Sequence, residues 1–187
     1  MWNQLREDAR RLRSAYPRPF PFYVLEALLF ENGFQAVVYY RMANWCKRHG
    51  IPFLGPFFAR LGLFFTGVDI SANAEIGPGL RISHGVGTVI GGFAKLGSGA
   101  LVLHGVTLGS PSEGRVEEMP VVGDRAFLGA GATLIGAITL GDDVVIGPHA
   151  LVTEDVPSNS RVLSTTGIEV TPRKPPKVPP RNTEESP

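Results

Sequence analysis

The sequence contains almost no cysteine, and its charges are few and balanced. A single Cys46 among 187 residues excludes a disulfide framework, a cysteine-rich zinc site and a two-cysteine redox motif. The 18 Lys and Arg residues nearly match the 17 Asp and Glu residues, but residues 67–157 hold ten of the acidic residues and only four of the basic ones. Such an acidic segment argues against a nucleic-acid-binding surface there, and no nucleic-acid partner is expected.

Long hydrophobic runs are also missing. The longest mostly apolar stretch, 51–66, contains Arg60 and is shorter than the roughly 20 residues that span a bilayer. Residues 1–13 are polar and charged where a secretory leader needs an apolar segment. We therefore expect a cytoplasmic protein, in agreement with the low cysteine content.

Glycine and proline, in contrast, are abundant and unevenly placed. Of the 23 glycines, 18 lie between Gly67 and Gly147, and six of the 16 prolines lie after Thr171. We expect a C-terminal extension at 158–187 that is proline-rich and mobile from about 171, because this composition cannot form a core.

An aliphatic residue recurs every six positions through the glycine-rich segment. About thirteen units share this pattern: Ile70, Ile76, Ile82, Ile90, Leu96, Val102, Leu108, Val122, Leu128, Leu134, Leu140, Ile146 and Val152. Period six fits neither an amphipathic helix nor a hairpin sheet. It fits short strands separated by corners, three to a coil, and predicts a parallel β-helix of about four coils over 67–157.

The repeat is interrupted twice. A two-residue slip lies around Ser83 to Val89, and a longer interval between Leu108 and Val122 predicts an extruded loop at 109–121. Binding residues concentrate on loops that a rigid scaffold positions, so these breaks are the candidate functional segments.

The first 66 residues are predicted to be α-helical. Residues 2–14 and 22–48 have helical patterns that Pro17, Pro19 and Pro21 separate. Over 53–65, aromatic residues recur at helical spacing and follow a basic run. We expect this aromatic face to pack on the first coil. A second interpretation is peripheral contact with an anionic membrane surface.

The motifs and the repeat together give a family resemblance. The sequence resembles the hexapeptide-repeat acyltransferases, and among them the serine acetyltransferases and their O-acetyltransferase relatives. The stretches that carry the likeness are Gly33-Phe34-Gln35-Ala36, Tyr40-Arg41, Trp45, Gly67-Val68-Asp69-Ile70, His84-Gly85-Val86-Gly87, Val106-Thr107-Leu108-Gly109 and Leu128-Gly129-Ala130-Gly131-Ala132. The resemblance implies a left-handed β-helix, acetyl-CoA as the donor, no metal, and a homotrimer in which trimers can pair.

By this likeness His84 is the catalytic base, which takes the proton of an acceptor hydroxyl as its oxygen attacks the acetyl-CoA thioester. His104 occupies the equivalent place one coil later, whereas His149 is expected to be remote. The family likeness implies that CoA lies in the groove between neighbouring β-helices, lined by Gly109, Ser110, Ala130, Gly131 and Pro148. Ser83, His104 and Glu118 are the candidate acceptor contacts.

The sequence departs from the serine acetyltransferases on the acceptor side. Ser83 replaces the Asp that orients the catalytic His, and Glu117-Glu118-Met119-Pro120 replaces an Asp-Arg-His-Pro motif whose basic residues help to hold the amino acid. An acidic pair would repel the carboxylate of serine. An acidic pair expected before the helices is replaced by Arg18-Pro19-Phe20-Pro21-Phe22, and Glu185-Ser186-Pro187 replaces the isoleucine that docks into cysteine synthase, so no such docking is expected.

These departures favour an acetyl-CoA-dependent O-acetyltransferase whose acceptor is a sugar hydroxyl, on a glycan or a polysaccharide precursor. One alternative is a divergent serine O-acetyltransferase of cysteine biosynthesis. A second is a zinc enzyme resembling the γ-class carbonic anhydrases, for which His84 and His104 have no third histidine beside them. A third is a non-catalytic β-helix scaffold, which would release no thiol from acetyl-CoA.

Overall fold

The computed structural model describes residues 1–12, 19 and 22–164. Within them four α-helices precede the strands: α1 (Trp2–Leu12), α2 (Phe22–Phe30), α3 (Asn32–Arg48) and α4 (Leu54–Thr66). The proline-rich tail, the C-terminal Glu185-Ser186-Pro187 and most of the Arg18-to-Phe22 stretch lie outside the described residues. No helix of the described part has the length and the apolar character needed to cross a bilayer.

The described residues from Asp69 onward form fourteen short strands in three parallel sheets. The first sheet has the order β1-β4-β7-β10-β13, the second β2-β5-β8-β11, and the third β3-β6-β9-β12-β14. The strands are β1 (Asp69–Ile70), β2 (Glu75–Ile76), β3 (Arg81–Ser83), β4 (Val89–Ile90), β5 (Lys95–Leu96), β6 (Leu101–Leu103), β7 (Thr107–Gly109), β8 (Val121–Val122), β9 (Phe127–Leu128), β10 (Thr133–Ile135), β11 (Thr139–Leu140), β12 (Val145–Ile146), β13 (Leu151–Val152) and β14 (Arg161–Val162).

Consecutive strands belong to different sheets, so the chain winds as a three-sided β-helix. The described part contains five turns, one more than the predicted four. The fifth contains β13, an isolated bridge between Leu140 and Val156, and β14, which lies beyond the predicted boundary at 157. The repeat did not reveal it because Ile146 pairs with Val162, sixteen residues later, and Val162 is therefore out of the six-residue frame.

The predicted aliphatic ladder forms the core. All thirteen repeat residues are buried, and the alanines and valines four positions after many of them complete the interior. Removing one such side chain from water is worth about 1.5–3 kcal/mol, and stacking lets each turn bury the face of the next. The six-residue pattern thus correctly predicted the inward positions.

Helices α1 and α3 cover the first turn of the β-helix. Arg41 and Asp8 form a buried ion pair with Nε to Oδ2 at 2.9 Å, and the guanidinium also donates to the carbonyl oxygens of Ile76 and Gly77. Asp8 in turn accepts a hydrogen bond from the amide of Leu80. This buried network fixes both helices to the β-helix.

The helix predicted over 22–48 is two helices. Glu31 has extended backbone angles and separates α2 from α3. At the start of α3, Gly33 lies so close to the carbonyl of Ile82 that a Cβ atom there would overlap the oxygen. The break gives α3 its own direction, and its glycine lies directly on β3.

The aromatic face of α4 does not pack as predicted. Helix α4 lies antiparallel on α3 through its glycines: a Cβ atom on Gly62 would lie 3.0 Å from Cβ of Tyr39, and one on Gly55 would lie 3.2 Å from the Ala43 oxygen. Phe57 and Phe64 remain 54% and 77% exposed. The expectation that this face covers the first coil is wrong for these residues, because the small side chains permit the closer contact with α3.

Candidate active site

Two edges of the three-sided β-helix carry the predicted site residues. We call the segments that join the third sheet to the first the histidine edge; they contain His84, His104, Ala130 with Gly131, and Pro148 with His149. We call the segments that join the first sheet to the second the loop edge, which includes residues 110–120.

His84 lies where the chain inserts two residues into a turn. Asp69 pairs with Val89, twenty residues later, whereas Val89 pairs with Thr107 after the ordinary eighteen. The backbone of His84 is left-handed, with φ of +56°, and its side chain is exposed. A residue with a side chain seldom adopts this conformation, and such backbone strain is concentrated at functional sites.

Gly85 fixes the backbone beneath this insertion. A Cβ atom at Gly85 would lie 2.5 Å from Cγ2 of Ile82 and 2.9 Å from Cγ2 of Val68, so only glycine fits against the core. The chain at His84 therefore turns over the core while the imidazole stays in solvent. The exposed ring nitrogens of His84 can therefore accept a hydrogen bond from a hydroxyl that approaches from solvent.

His104 lies on the next turn of the same edge. Strands β3 and β6 pair through Ser83 and Leu103, and each histidine is the residue that directly follows. Thr88 donates a hydrogen bond to the carbonyl oxygen of Leu103 at 3.0 Å and ties the inserted segment to that turn. The predicted stacking of the two positions agrees with this register.

Neither Ser83 nor His84 has a side-chain hydrogen bond or ion pair within the part of the chain that the structure describes. The described part of the chain also contains no group of three His, Cys, Asp or Glu side chains that could hold a metal ion.

Three of the residues predicted to contact CoA continue along the histidine edge. The amide of Gly131 donates to the His104 oxygen at 2.9 Å, and the amide of His149 donates to the Ala130 oxygen at 2.8 Å. A Cβ atom on Gly105 would lie 3.6 Å from Cα of Gly131. Small residues on neighbouring turns thus leave a shallow strip of backbone, and Pro148 lies exposed at its end.

His149 contacts this strip two turns beyond His104. It is the register counterpart of Gly87, Gly105 and Gly131, all of which have positive φ, and its own φ is +54°. A Cβ atom on Gly131 would overlap the His149 ring, so the imidazole lies over that glycine. The signal was available in the sequence, since 149 follows 131 by the ordinary eighteen residues.

The other predicted contacts lie on the loop edge. The chain leaves the coil after Gly109 and returns at Val121, with a 3-10 helix at Glu113–Arg115, as the broken repeat predicted. Ser110 donates its hydroxyl to the Ser112 oxygen at 3.3 Å, and Glu118 pairs with Arg115 at 3.3 Å. Met119 returns the loop to the coil, where its sulfur lies against Gly91.

The two edges are separated by the width of a sheet. His104 precedes β7 (Thr107–Gly109) and Ser110 follows it, so this strand of the first sheet lies between the two edges. One chain consequently does not bring His84 together with Ser110 or Glu118.

Comparison with known proteins identifies the family. The family described as "Bacterial transferase hexapeptide (six repeats)" matches residues 119–154. A serine acetyltransferase of Helicobacter pylori is 38% identical over 146 residues, which cover 78% of this chain and 85% of that protein. This chain belongs to the serine acetyltransferase family. The resemblance seen in the motifs is therefore confirmed.

Other members of the serine acetyltransferase family agree in sequence and in fold. The Mycobacterium tuberculosis protein is 35% identical over 167 residues, which cover 89% of this chain and 72% of that one. A Neisseria gonorrhoeae serine acetyltransferase, solved in complex with serine, superposes with a TM-score of 0.75 at 31% identity, over 91% of this chain and 68% of that one. These matches confirm the predicted β-helix with an N-terminal helical segment.

A structure with CoA is also among the relatives. The Brucella abortus serine acetyltransferase in complex with coenzyme A gives a TM-score of 0.78 at 27% identity, over 88% of this chain and 65% of that one. This chain thus spans about two thirds of the length of that relative.

Proposed function

We propose that this protein transfers an acetyl group from acetyl-CoA to the hydroxyl of serine, with His84 as the general base. The observation that carries the proposal is the exposed, left-handed His84 at the inserted corner of a chain that is 38% identical to a serine acetyltransferase. The comparisons favour serine over the sugar hydroxyl that the acceptor-side departures led us to expect.

The reaction follows from an imidazole beside a hydroxyl and a thioester. His84 accepts the hydroxyl proton while the serine oxygen attacks the thioester carbonyl carbon, and the tetrahedral oxyanion then collapses. The carbon–sulfur bond breaks, and the protonated His84 returns its proton to the CoA thiolate as it leaves. General-base assistance of this kind is worth about 10²- to 10⁴-fold in rate, and backbone N–H groups are the natural donors to the oxyanion.

The CoA site is proposed to form between subunits. Ala130, Gly131 and Pro148 lie on the histidine edge, whereas Gly109 and Ser110 lie on the loop edge. A groove lined by both sets needs the loop edge of a neighbouring copy, which supports a homotrimer with three shared sites. Small side chains along the strip allow the pantetheine arm to approach the backbone.

The extruded loop should repel a carboxylate less strongly than its acidic sequence indicates. Glu118 pairs with Arg115 at 3.3 Å, and the Arg115 side chain remains about half exposed. We propose that Arg115 pairs with the carboxylate of serine, a role that its planar guanidinium suits. The basic residues expected from the family motif are thus replaced by one within the same loop.

A sugar acceptor remains the second candidate. Glu113 and Glu117 are exposed on the extruded loop, and carboxylates accept hydrogen bonds from sugar hydroxyls. Ser83 beside His84 adds a hydroxyl in place of a carboxylate.

Thiol release from acetyl-CoA in the presence of serine or of a saccharide panel distinguishes these acceptors. Turnover with serine is expected, and turnover with saccharides alone would overturn the proposal. Arg115→Ala is expected to raise KM for serine about 10-fold while leaving KM for acetyl-CoA unchanged. The matched control is Lys95→Ala, which removes an exposed basic partner of Glu75 on the second sheet and should change neither constant.

A further inference from the structure

The turn between α3 and α4 projects apolar side chains into solvent. We call residues 51–57 the α3–α4 tip. Phe53 is 85% exposed and Phe57 is 54% exposed, and Leu54 is exposed between them. Phe53 also has a left-handed backbone, with φ of +65°, which is a conformation that an aromatic residue seldom adopts. A strained backbone therefore holds a phenylalanine away from the protein.

Packing within the chain does not account for this arrangement. The contact between α3 and α4 is made by Gly55 and Gly62, so the exposed rings are not needed to join the helices. Phe57 touches the neighbouring ring of Phe58 at a centroid distance of 5.7 Å, but most of its surface remains in solvent. The apolar tip is thus available to an external partner.

The charged side chains that flank the tip in sequence are all basic. Lys47, Arg48 and His49 precede it, Arg60 follows Phe57 by one helical turn, and all four are exposed. The sequence contains no Asp or Glu between Glu31 and Asp69. An apolar tip flanked by cations matches the chemistry of an anionic lipid surface.

A cavity of about 610 Å³ lies beneath the tip, between it and the first turn of the β-helix. Its lining includes Lys47, Arg60, Ser71 and Asn73, together with one carboxylate, that of Asp69. The volume suits a small ligand, and two cations against one anion favour a negatively charged group.

We propose that the α3–α4 tip docks the protein on an anionic phospholipid surface, with a phosphate headgroup in the cavity between Lys47 and Arg60. Phe53, Leu54 and Phe57 enter the boundary between headgroups and acyl chains, as in helices that lie on membranes without crossing them. A second copy of this chain fits the tip poorly, because a two-fold contact would bring Lys47, Arg48 and Arg60 towards their own counterparts. The proposal does not depend on the acetyl transfer reaction.

Vesicle flotation of the full chain tests this docking. We expect binding to vesicles that contain phosphatidylglycerol, and at least a 10-fold weaker association with phosphatidylcholine vesicles or in 0.5 M salt. The Lys47→Glu/Arg60→Glu variant should lose the preference for phosphatidylglycerol. Equal binding to both vesicle types, or binding to neither, would overturn the proposal.

Two phenylalanine variants on one helix provide a matched pair. Phe57→Ser is expected to weaken vesicle binding at least 10-fold, whereas Phe64→Ser, 77% exposed and about 10 Å further along α4, should bind like the parent protein. Equal losses in both variants would contradict insertion of the tip.

Phe53→Gly separates binding from folding. Glycine relieves the left-handed strain, so this variant should unfold at a temperature no lower than that of the parent protein while losing vesicle binding. Retained vesicle binding by Phe53→Gly would contradict the proposal. A lower oligomeric mass of Phe53→Gly, together with no vesicle binding by the parent protein, would also contradict it. Acetyl transfer in solution, assayed separately, should be unchanged.

Discussion

His84 and His104 directly follow a pair of register-matched residues, Ser83 and Leu103, on adjacent turns of the β-helix. Adjacent parallel strands lie about 4.8 Å apart, so the two histidines are neighbours on one edge. Of the two, only His84 has a left-handed backbone, and the two inserted residues lie on its turn. Two histidines of similar sequence context thus differ in local geometry, and we assign them different roles.

His104→Ala should weaken acceptor binding without abolishing turnover. The side chain is exposed, so its loss leaves the fold intact, and it lies beside the proposed base without being the proton acceptor. We expect KM for serine to rise about 10-fold and kcat to fall by less than 10-fold, as steady-state thiol release will measure. A loss of kcat as large as that of the His84 variant would contradict this division of roles.

Gly33→Ala should destabilise the protein through the strand that leads to His84. Its Cβ atom would overlap the Ile82 oxygen, and Ile82 lies two residues before His84. Overpacking of this kind costs about 1–3 kcal/mol, measurable by urea unfolding, and α3 should move away from β3. Gly114→Ala is the matched control, because no atom lies within 4 Å of the added Cβ atom. Equal stability of both variants would contradict the role of the close contact between Gly33 and β3.

Arg41→Met should strongly destabilise the attachment of α1. Burial raises the pKa of the Asp8 carboxyl above its usual range, and Arg41 acts in the opposite direction. Removing the guanidinium leaves Asp8 buried without its ionic partner, which costs about 3–5 kcal/mol in the free energy of unfolding. The double variant Asp8→Leu/Arg41→Met should recover part of that loss. A single-variant loss below about 1 kcal/mol would show that the pair matters little.

The Arg125–Asp143 pair predicts an acid-dependent contribution to stability. Arg125 donates to both carboxylate oxygens of Asp143, and this holds the pKa of Asp143 below its usual value of 3.8. The native state therefore binds the proton more weakly than the unfolded state, so the stabilisation is present above about pH 3.8 and is lost as the pH falls through the lowered pKa.

Asp143→Asn should consequently lower Tm at pH 7 and have a smaller effect as the pH falls below 3.8. Thermal unfolding of the variant and the parent protein at pH 7 and below pH 3.8 measures this difference. Asparagine tolerates the left-handed backbone of this position. A difference that grows towards acid would contradict the assigned direction.

The inward residues of the β-helix were predictable because each contributes to one repeating ladder. The thirteen residues from Ile70 to Val152 follow a six-residue spacing that is broken twice, and all are buried. The fifth turn was missed because the frame shifts before Val162. Sequence spacing also placed His84 and His104 on one edge, since the register of parallel strands follows from the repeat.

The helices were less predictable because their packing depends on tertiary contacts. The aromatic spacing of α4 indicated a buried face, yet Gly55 and Gly62 allow a closer contact with α3 and leave Phe57 and Phe64 exposed. The ion pair between Glu118 and Arg115 was not predicted, because it depends on the 3-10 turn that brings the two side chains together. The position of His149 over Gly131 could have been found by extending the glycine column by one turn.

The most direct test of His84 as the general base is the rate of thiol release from acetyl-CoA by His84→Ala in the presence of serine. We predict a fall in kcat of about 10²- to 10⁴-fold, with KM for acetyl-CoA little changed and the circular dichroism spectrum retained, because His84 is exposed and removes only a proton. A folded His84→Ala protein with full activity would contradict the assignment of His84 as the base.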